Sequence, residues 1–365
     1  MPETAVQQQF ACPTCGAGLQ FNPESGQLKC AHCGTTQALI KGSDVVAHDF
    51  RTAIASHPLQ VIAAQALQVT CADCGAVVAF EPPEVAGVCS FCGSPIVAQP
   101  KASDPLIAPD GVLPAKVSKQ GALLQLRQWL SSRWFAPNAL KRLARPEGIN
   151  GVYLPFWTYY CHTETAYTGE RGEHYYTTET YTDTDSNGNS VQRTREVQHT
   201  RWDPASGTVS GDFNNVLVPA TKAVPETRLN KLEPWDLDAL CGYEPGYLAG
   251  FRAQRYQVEL TEGFEHAKAM MAPEIEGWIR RDIGGDEQRI LSTDTAYSGI
   301  FFLHLLLPVW IGAYQFQGKV YHVVVNARTG DVEGERPYST LKVGSLVLAI
   351  IAVIIWVLVW YSSHH

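Results

Sequence analysis

Apolar residues in this chain change their spacing several times, and each spacing predicts a different element. Ala122, Leu123, Leu126, Trp129 and Leu130 recur at helical intervals behind Ser118, which predicts a capped amphipathic helix. Pro137 suits the first turn of a second helix carrying Leu140 and Leu143. From Gly151 the rhythm becomes that of strands. Tyr153 to Tyr167 is aromatic and Thr-rich, and His174 to Val197 has strand composition around Asn187-Gly188, a strong hairpin signal. This hairpin is polar on both faces, so it predicts an exposed arm. Farther on, the pattern predicts a strand near Gly250 to Leu260, a helix from about Glu262 to Asp282, and strands at Ile290 to Tyr297, Phe301 to Phe316 and Lys319 to Asn326. Gln317-Gly318 makes a short turn between the last two. One helix against an antiparallel sheet is an α+β arrangement.

The last change of spacing is the most abrupt. Val343 to Tyr361 runs 19 residues without a charge, and as a helix it is about 28 Å long, enough to cross the hydrocarbon core of a bilayer. A helix with no polar face predicts a membrane span rather than a core helix. Trp356, Trp360 and Tyr361 gather near its far end, as in an interfacial aromatic belt. Arg336 and Lys342 precede it, while Ser362, Ser363, His364 and His365 follow with no Lys or Arg, so the positive-inside tendency places the preceding domains in the cytoplasm. The opening residues MPETAVQQQF lack the basic and apolar regions of a signal peptide. The expectation is a single-pass membrane protein with a C-terminal anchor.

Cysteine spacing adds chemistry. Cys12-x2-Cys15 with Cys30-x2-Cys33 is repeated as Cys71-x2-Cys74 with Cys89-x2-Cys92, each residue 59 positions after its counterpart. Phe21 maps onto Phe80 and Leu19 onto Val78 under the same offset, so the unit is duplicated. Two residues between cysteines let one tight turn present both sulfurs to one ion, and a second such turn completes a tetrahedron. Glycine follows every pair, at Gly16, Gly34, Gly75 and Gly93. Four thiolates leave zinc no open position, so the pattern predicts two structural Zn2+ ions and no catalytic one. His32 has Phe91 as its counterpart and reads as a turn residue. Reduced thiolates agree with a cytoplasmic setting.

Charge is distributed unevenly around a formal net value of -8. Residues 1 to 100 hold three basic side chains (Lys29, Lys41, Arg51) and seven acidic ones (Glu3, Glu24, Asp44, Asp49, Asp73, Glu81, Glu84), a balance of -4. Each metallated four-thiolate site adds about -2, which disfavours phosphate binding by this region. Between Gly111 and Pro146 the sign reverses, with Lys116, Lys119, Arg127, Arg133, Lys141, Arg142 and Arg145 and no acidic residue. This basic amphipathic pair is either a solvated face on helices packed against the body, a contact for anionic lipid, or a dock for the acidic ribbons.

The stretches GVYLPFWTYY (151 to 160), YTGERGE (167 to 173), FNNVLVPA (213 to 220), LEPWDL (232 to 237), YEPGYLAGF (243 to 251), IGGDEQRI (283 to 290) and the run from Leu306 to Ser339 carry a family resemblance. With the cysteine pairs, they resemble bacterial tail-anchored membrane proteins with paired zinc ribbons, commonly labelled TFIIB-type zinc ribbon protein or primosomal replication factor Y/superfamily II helicase. The resemblance covers nearly the whole chain and implies association with flotillin-like SPFH and phage-shock-type envelope systems. The helicase label has no support in the residues: a P-loop needs G-x-x-x-x-G-K-[ST], and Gly318-Lys319 is followed by Val320.

Other polar groups read as structural. Gly284-Gly285-Asp286-Glu287 resembles the start of a GGDEF signature, but Gln288 follows, and the glycines suit a helix C-terminus. Glu170, Arg171, Glu173 and His174 read as paired charges at a strand end. Cys161 and Cys241 read as small buried hydrophobes, and His304 as a hydrogen-bonded core histidine.

The sequence therefore predicts ribbon 1 over residues 1–40, a helical connector over 41–68 broken at Pro58, and ribbon 2 over 69–100. Linker and basic helices follow over 101–150, a β-rich region with the exposed hairpin over 151–231, an α+β domain over 232–340 and a transmembrane helix over 341–361. Two ribbons held in front of an α+β body read as a non-enzymatic adaptor that binds protein partners and has no small-molecule substrate. The alternative is a membrane-tethered nucleic-acid binder, disfavoured by the acidic ribbons and by the absence of a stacking platform of aromatics among the basic residues.

Overall fold

The computed structural model describes residues 12–17, 19–39, 42, 44–56, 67–70, 76–80, 86–88, 91, 95–97, 107–132, 148–184, 189–254, 256–316, 319–337 and 339–364. At the N-terminal end, β1 (Leu19–Asn22), β2 (Gln27–Cys30) and β3 (Thr36–Gln37) form a small antiparallel sheet. β4 (His48–Asp49) leads into α1 (Phe50–Ser56). Two strand pairs follow, β5 (Leu67–Thr70) with β6 (Val77–Phe80) and β7 (Ala86–Val88) with β8 (Pro95–Val97). Shifted by 59 positions, β1, β2 and β3 fall on 78–81, 86–89 and 95–96, so the strand positions repeat with the cysteines.

The body is a mixed α and β structure built on one nine-stranded sheet. β9 (Gly111–Val112) precedes α2 (Lys119–Ser132), and then two very long strands form a hairpin, β10 (Asn150–Thr184) and β11 (Ser190–Pro219). After a helical turn, α3 (Glu226–Leu229), come β12 (Cys241–Gly242), β13 (Arg252–Ala253) and α4 (Leu260–Ile283). The chain finishes with β14 (Glu287–Phe316), β15 (Lys319–Asn326), β16 (Val332–Gly334) and α5 (Thr340–His364). The central order is β11-β10-β14-β15-β16, and β4, β9, β12 and β13 are stitched to its margins.

The sheet has a direction that matters for function. β10 and β14 run antiparallel from Asn150 opposite Ile311 to Gly172 opposite Glu287. Beyond that level only β10 and β11 continue, as a two-stranded arm from Glu173 opposite Arg201 to Thr184 opposite Ser190. The arm's side chains are largely exposed. Cross-strand pairs Glu179–Arg195 at 3.2 Å and Asp183–Arg193 at 3.1 Å lie along it. The β14–β15 hairpin closes at the opposite end, where Phe316 pairs with Lys319. At a rise of about 3.3 Å per residue, the 30 residues of β14 put roughly 100 Å of strand between that end and the base of the arm.

Bulges make such long strands possible. Residues 214–215 of β11 stand opposite Tyr160 alone, and Gly299 with Ile300 of β14 opposite Cys161 alone. Asn215 and Gly299 take φ of +57° and +55° at these places. Below the bulges β10 is buried on both faces from Gly151 to Tyr159, and above them burial alternates. α4 covers one face of the upper sheet. Its buried residues Leu260, Phe264, Ala267, Met271, Ile275, Ile279 and Ile283 follow the helical period, and Pro273 points to solvent. Gly263 is required at the closest approach, because a Cβ there would meet Tyr159 Oη at 2.5 Å and Trp157 Cδ1 at 2.8 Å.

Several expectations need correction. Ile290 to Tyr297 and Phe301 to Phe316 are one strand, because the bulge at Gly299 lets pairing continue through what reads as a break. Among the described residues between Gly250 and Leu260, only Arg252–Ala253 is a strand, a short parallel partner of β10. The connector's described helix is confined to α1, and β4 and β5 stand at its margins because β4 pairs with Phe301–Phe302 of β14. Ser118 caps α2 as expected, with Gly121 N–H donating to Ser118 Oγ at 3.3 Å. Ala122, Leu126, Trp129 and Leu130 are its buried residues, so α2 packs on the body and turns its polar side outward. The predicted second basic helix with Lys141, Arg142 and Arg145, and the turn residues Asn187, Gly188, Gln317 and Gly318, lie outside the described residues.

Candidate metal centre

Two matching turns bring four sulfurs together. In the first, Gly16 N–H donates to Cys12 O at 2.9 Å and Cys12 N–H to Ala17 O at 2.7 Å; in the second, Gly34 N–H donates to Cys30 O at 3.0 Å and Cys30 N–H to Thr35 O at 2.8 Å. Gly16 and Gly34 hold φ at +74° and +79°, which a side chain would resist. β1 and β2 set the turns face to face. All four Sγ atoms, of Cys12, Cys15, Cys30 and Cys33, lie within 4.8 Å of one another. Three contacts are 3.5 Å (Cys12–Cys33), 3.5 Å (Cys15–Cys33) and 3.6 Å (Cys15–Cys30). A tetrahedron with metal–sulfur bonds of about 2.3 Å has edges of about 3.8 Å, so four thiolates fit one ion here with little adjustment.

The electrostatics agree with a site built for a cation. Burial works to raise the Cys12 thiol, but hydrogen bonds from the backbone of Cys15 and Thr14 and from the neighbouring thiols outweigh it and lower the pKa to about 6. Cys33 is lowered chiefly by the Thr35 hydroxyl, 3.1 Å away, and by the Thr35 backbone. For Cys15 the Ala17 backbone bond favours the thiolate, yet the crowd of Cys33, Cys30 and Cys12 raises it to about 12. Some thiols ionise readily and another is blocked by their charge, a conflict that a bound dication removes. Thr35 Oγ1 also lies 3.0 Å from Thr14 Oγ1, linking the two turns outside the sulfurs. This hydroxyl was not singled out by the cysteine pattern, although its counterpart under the 59-residue offset is Ser94, also a hydroxyl.

The first ribbon is docked rather than held in front of the body. Cys12, Leu19, Phe21, Leu28 and Cys30 share a buried cluster with Tyr153, Tyr247, Leu306 and Trp310. Phe21 meets Tyr247 edge to face at 5.4 Å, and Phe21 N–H donates to Ala249 O at 2.8 Å. In the second unit, Phe91 and Ala76 are buried in a different cluster, with Leu154, Phe156, Leu305 and Leu307. Adjacent strand residues face opposite ways, so Phe21 and Leu28 pack on one face of the main sheet and Ala76 and Phe91 on the other. This accounts for the mismatch between exposed His32 and its buried counterpart Phe91. Cys71, Cys74, Cys89 and Cys92 lie outside the described residues.

The remaining candidates take structural roles. His304 is buried, bonds through Nδ1 to Ile107 O at 2.9 Å, and packs on Trp157 at 4.9 Å; burial lowers its pKa to about 4. Cys161 is buried against Met271 Sδ at 3.6 Å, and burial raises its thiol to about 11. Cys241 is half-buried and donates to Val112 O at 3.5 Å. Gly284 and Gly285 take positive φ at the end of α4, and the turn clamps the base of the arm. There His174 N–H donates to Asp286 Oδ2 at 2.8 Å, and His174 Nε2 lies 2.8 Å from Glu287 Oε1. The His174 and Thr200 hydrogen bonds hold Glu287 below the usual carboxylate range. Arg171 pairs with Glu173 and Arg289 with Glu170, but these charges lie inside β10 rather than at a strand end, because its pairing with β11 continues to Thr184. Among the described residues the four cysteines are the group that could hold a metal ion. At the far end, α5 contains one segment, Gly344–Ser362, long and apolar enough to cross a membrane.

Comparison with known proteins adds one relative. The chain is 27% identical over 344 residues to the uncharacterized protein YdjG of Bacillus subtilis (strain 168), covering 92% of each chain. No family model and no solved structure matches.

Proposed function

We propose that this protein is a membrane-anchored adaptor that recruits protein partners to the cytoplasmic face of a membrane. Zinc serves it as two structural ions, one in each four-cysteine unit. The observation that carries this reading is the polarity of the sheet. One end leads into the apolar helix α5, and the other extends as a polar, two-stranded arm of side chains exposed on both faces. Such an arm presents open backbone edges and cross-strand charge pairs, the features by which one protein pairs with another. The closed four-thiol set supports a stabilising metal rather than a reaction. Arg336 and Lys342 ahead of α5 favour a cytoplasmic body. The family resemblance points to a flotillin-like SPFH protein as the partner class.

The test is a pull-down of the detergent-solubilised full chain with mass spectrometry, run beside a variant in which residues 174–199 are replaced by a short Gly-rich turn. The adaptor reading expects a reproducible membrane-protein partner that the shortened arm loses. A mobility-shift assay with single- and double-stranded DNA runs in parallel. Micromolar binding at physiological salt, with no arm-dependent protein partner, would transfer the proposal to the nucleic-acid alternative.

A further inference from the structure

Above Gly172, no described strand lies on the β14 side of β10. Asp286 N–H donates to Gly172 O at 2.9 Å, so the even-numbered residues of this part of β10 point their main-chain groups toward the β14 lane. His174 N–H is the next in that direction, and the Asp286 side chain takes it at 2.8 Å. Main-chain direction alternates along a strand, so the N–H and C=O groups of Tyr176, Thr178, Thr180 and Thr182 open into the same lane. The odd-numbered residues between them carry the ladder to β11, which runs from Glu173 opposite Arg201 to Thr184 opposite Ser190. Thr184 N–H turns onto Asp183 Oδ1 at 2.8 Å, and the open stretch ends there.

The two edges of the arm differ in kind. β11 carries Arg193, Arg195 and Arg201 with Pro204 just below them, the residue types that guard an edge strand against pairing. Residues 173–184 of β10 contain no Lys, Arg, Pro or Gly, and Thr or Tyr, which suit strands, fill eight of the twelve positions. Tyr175 and Tyr176 are exposed, and tyrosine gives large contact area at little cost in side-chain entropy.

Charge selects the occupant. Glu179 and Asp183 stand on one face with Tyr181 between them, and the arginines they pair with, Arg195 and Arg193, lie on the β11 side. An antiparallel strand laid against β10 would meet both carboxylates at non-hydrogen-bonded positions, where side chains come closest. Opposite charges across such a pair are favourable, so a basic β11 and an acidic β10 call for a basic third strand. A second copy in the same orientation cannot supply it, because its β10 and β11 both continue down into the lane that β14 fills.

We propose that the open edge of β10 between His174 and Thr184 takes up an extended segment of a partner protein as an added antiparallel strand, one that carries Lys or Arg at two positions four residues apart. This rests on the reading of the arm as the partner-binding element. Main-chain bonds to Tyr176, Thr178, Thr180 and Thr182 hold the segment, and the two cations opposite Glu179 and Asp183 set its register.

The test uses the detergent-solubilised full chain and a fluorescent peptide of about twelve residues, rich in threonine and valine, with two lysines four positions apart; a control peptide has glutamates in their place. Fluorescence anisotropy should show the lysine peptide binding about tenfold tighter than the control. Equal binding of the two, or binding of neither, overturns the proposal. Thr178→Pro removes an N–H that points into the lane and spares the ladder to β11, so it should abolish binding with circular dichroism and metal content unchanged. Glu179→Gln combined with Asp183→Asn should weaken the lysine peptide several-fold without touching the backbone, and undiminished binding in either variant overturns the site. A dimer in sedimentation that Thr178→Pro dissociates would assign the edge to a second copy instead. In the pull-down, a partner lost on replacing residues 174–199 but kept by Thr178→Pro overturns the added strand and leaves the adaptor reading standing, whereas a partner kept by both overturns the adaptor reading and this inference with it.

Discussion

The Tyr160 hydroxyl donates a 2.6 Å hydrogen bond to Asn215 Oδ1 while Asn215 holds φ at +57°. The pair spans the bulge between β10 and β11, at the level where Gly299 makes the matching bulge in β14. Asparagine tolerates this left-handed conformation, and a β-branched residue does not.

Replacing Asn215 with valine should cost roughly 2–3 kcal/mol, from about 1–2 for the strained backbone and about 1 for the lost hydrogen bond. Asn215→Gly should cost less, because the backbone stays relaxed and only the bond is lost. Denaturant unfolding of the detergent-solubilised protein reads the difference. Equal losses would show that the bulge imposes no backbone demand.

His304 gives a pH dependence whose sign can be worked out. Its folded pKa of about 4 lies below the unfolded value of about 6.5, so the folded state favours the neutral ring. The unfolded state binds more protons between these values, and stability is fully present above about 6.5 and falls as pH drops toward 4. The loss should reach roughly 3 kcal/mol. Chemical unfolding followed from pH 7 to pH 4 should flatten over that window in His304→Asn, and an unchanged slope would assign the acid sensitivity elsewhere.

Changing Cys12 and Cys15 to serine should remove one zinc ion and leave the other, since the two four-cysteine sets are independent in sequence. Because Phe21, Leu28 and Cys30 are buried with Tyr247 and Trp310, the same change should also raise protease cleavage within residues 12–39. Metal analysis finding fewer than two ions in the native protein, or mass spectrometry finding these pairs disulfide-linked in cytosolic extracts, would refute the zinc assignment.

Truncation after Leu341 removes the apolar segment Gly344–Ser362 and should release the body from membranes after a high-salt wash, with its zinc retained. A pellet that persists under those conditions would place a strong second anchor in the body.

Local pattern by itself determined much of this protein. The two-residue spacing and glycines of Cys12, Cys15, Cys30 and Cys33 announced a four-thiol cluster, the 59-residue offset announced the repeated strand positions, and the uncharged run from Val343 announced the last helix. The spacing from Leu260 to Ile283 and the polar hairpin around Asn187-Gly188 were legible for the same reason: helix and strand periods are written in consecutive residues. Tertiary structure alone decided where these pieces rest. Phe21 finds Tyr247 on one face of the sheet, Phe91 finds the other face, and His48–Asp49 joins β14 across more than 250 residues of sequence. Ser298-Gly299 reads as a strand break, yet it became a bulge because β10 supplied a continuous partner. Packing partners depend on complementary surfaces brought together by distant segments, and no short window of sequence records that complement.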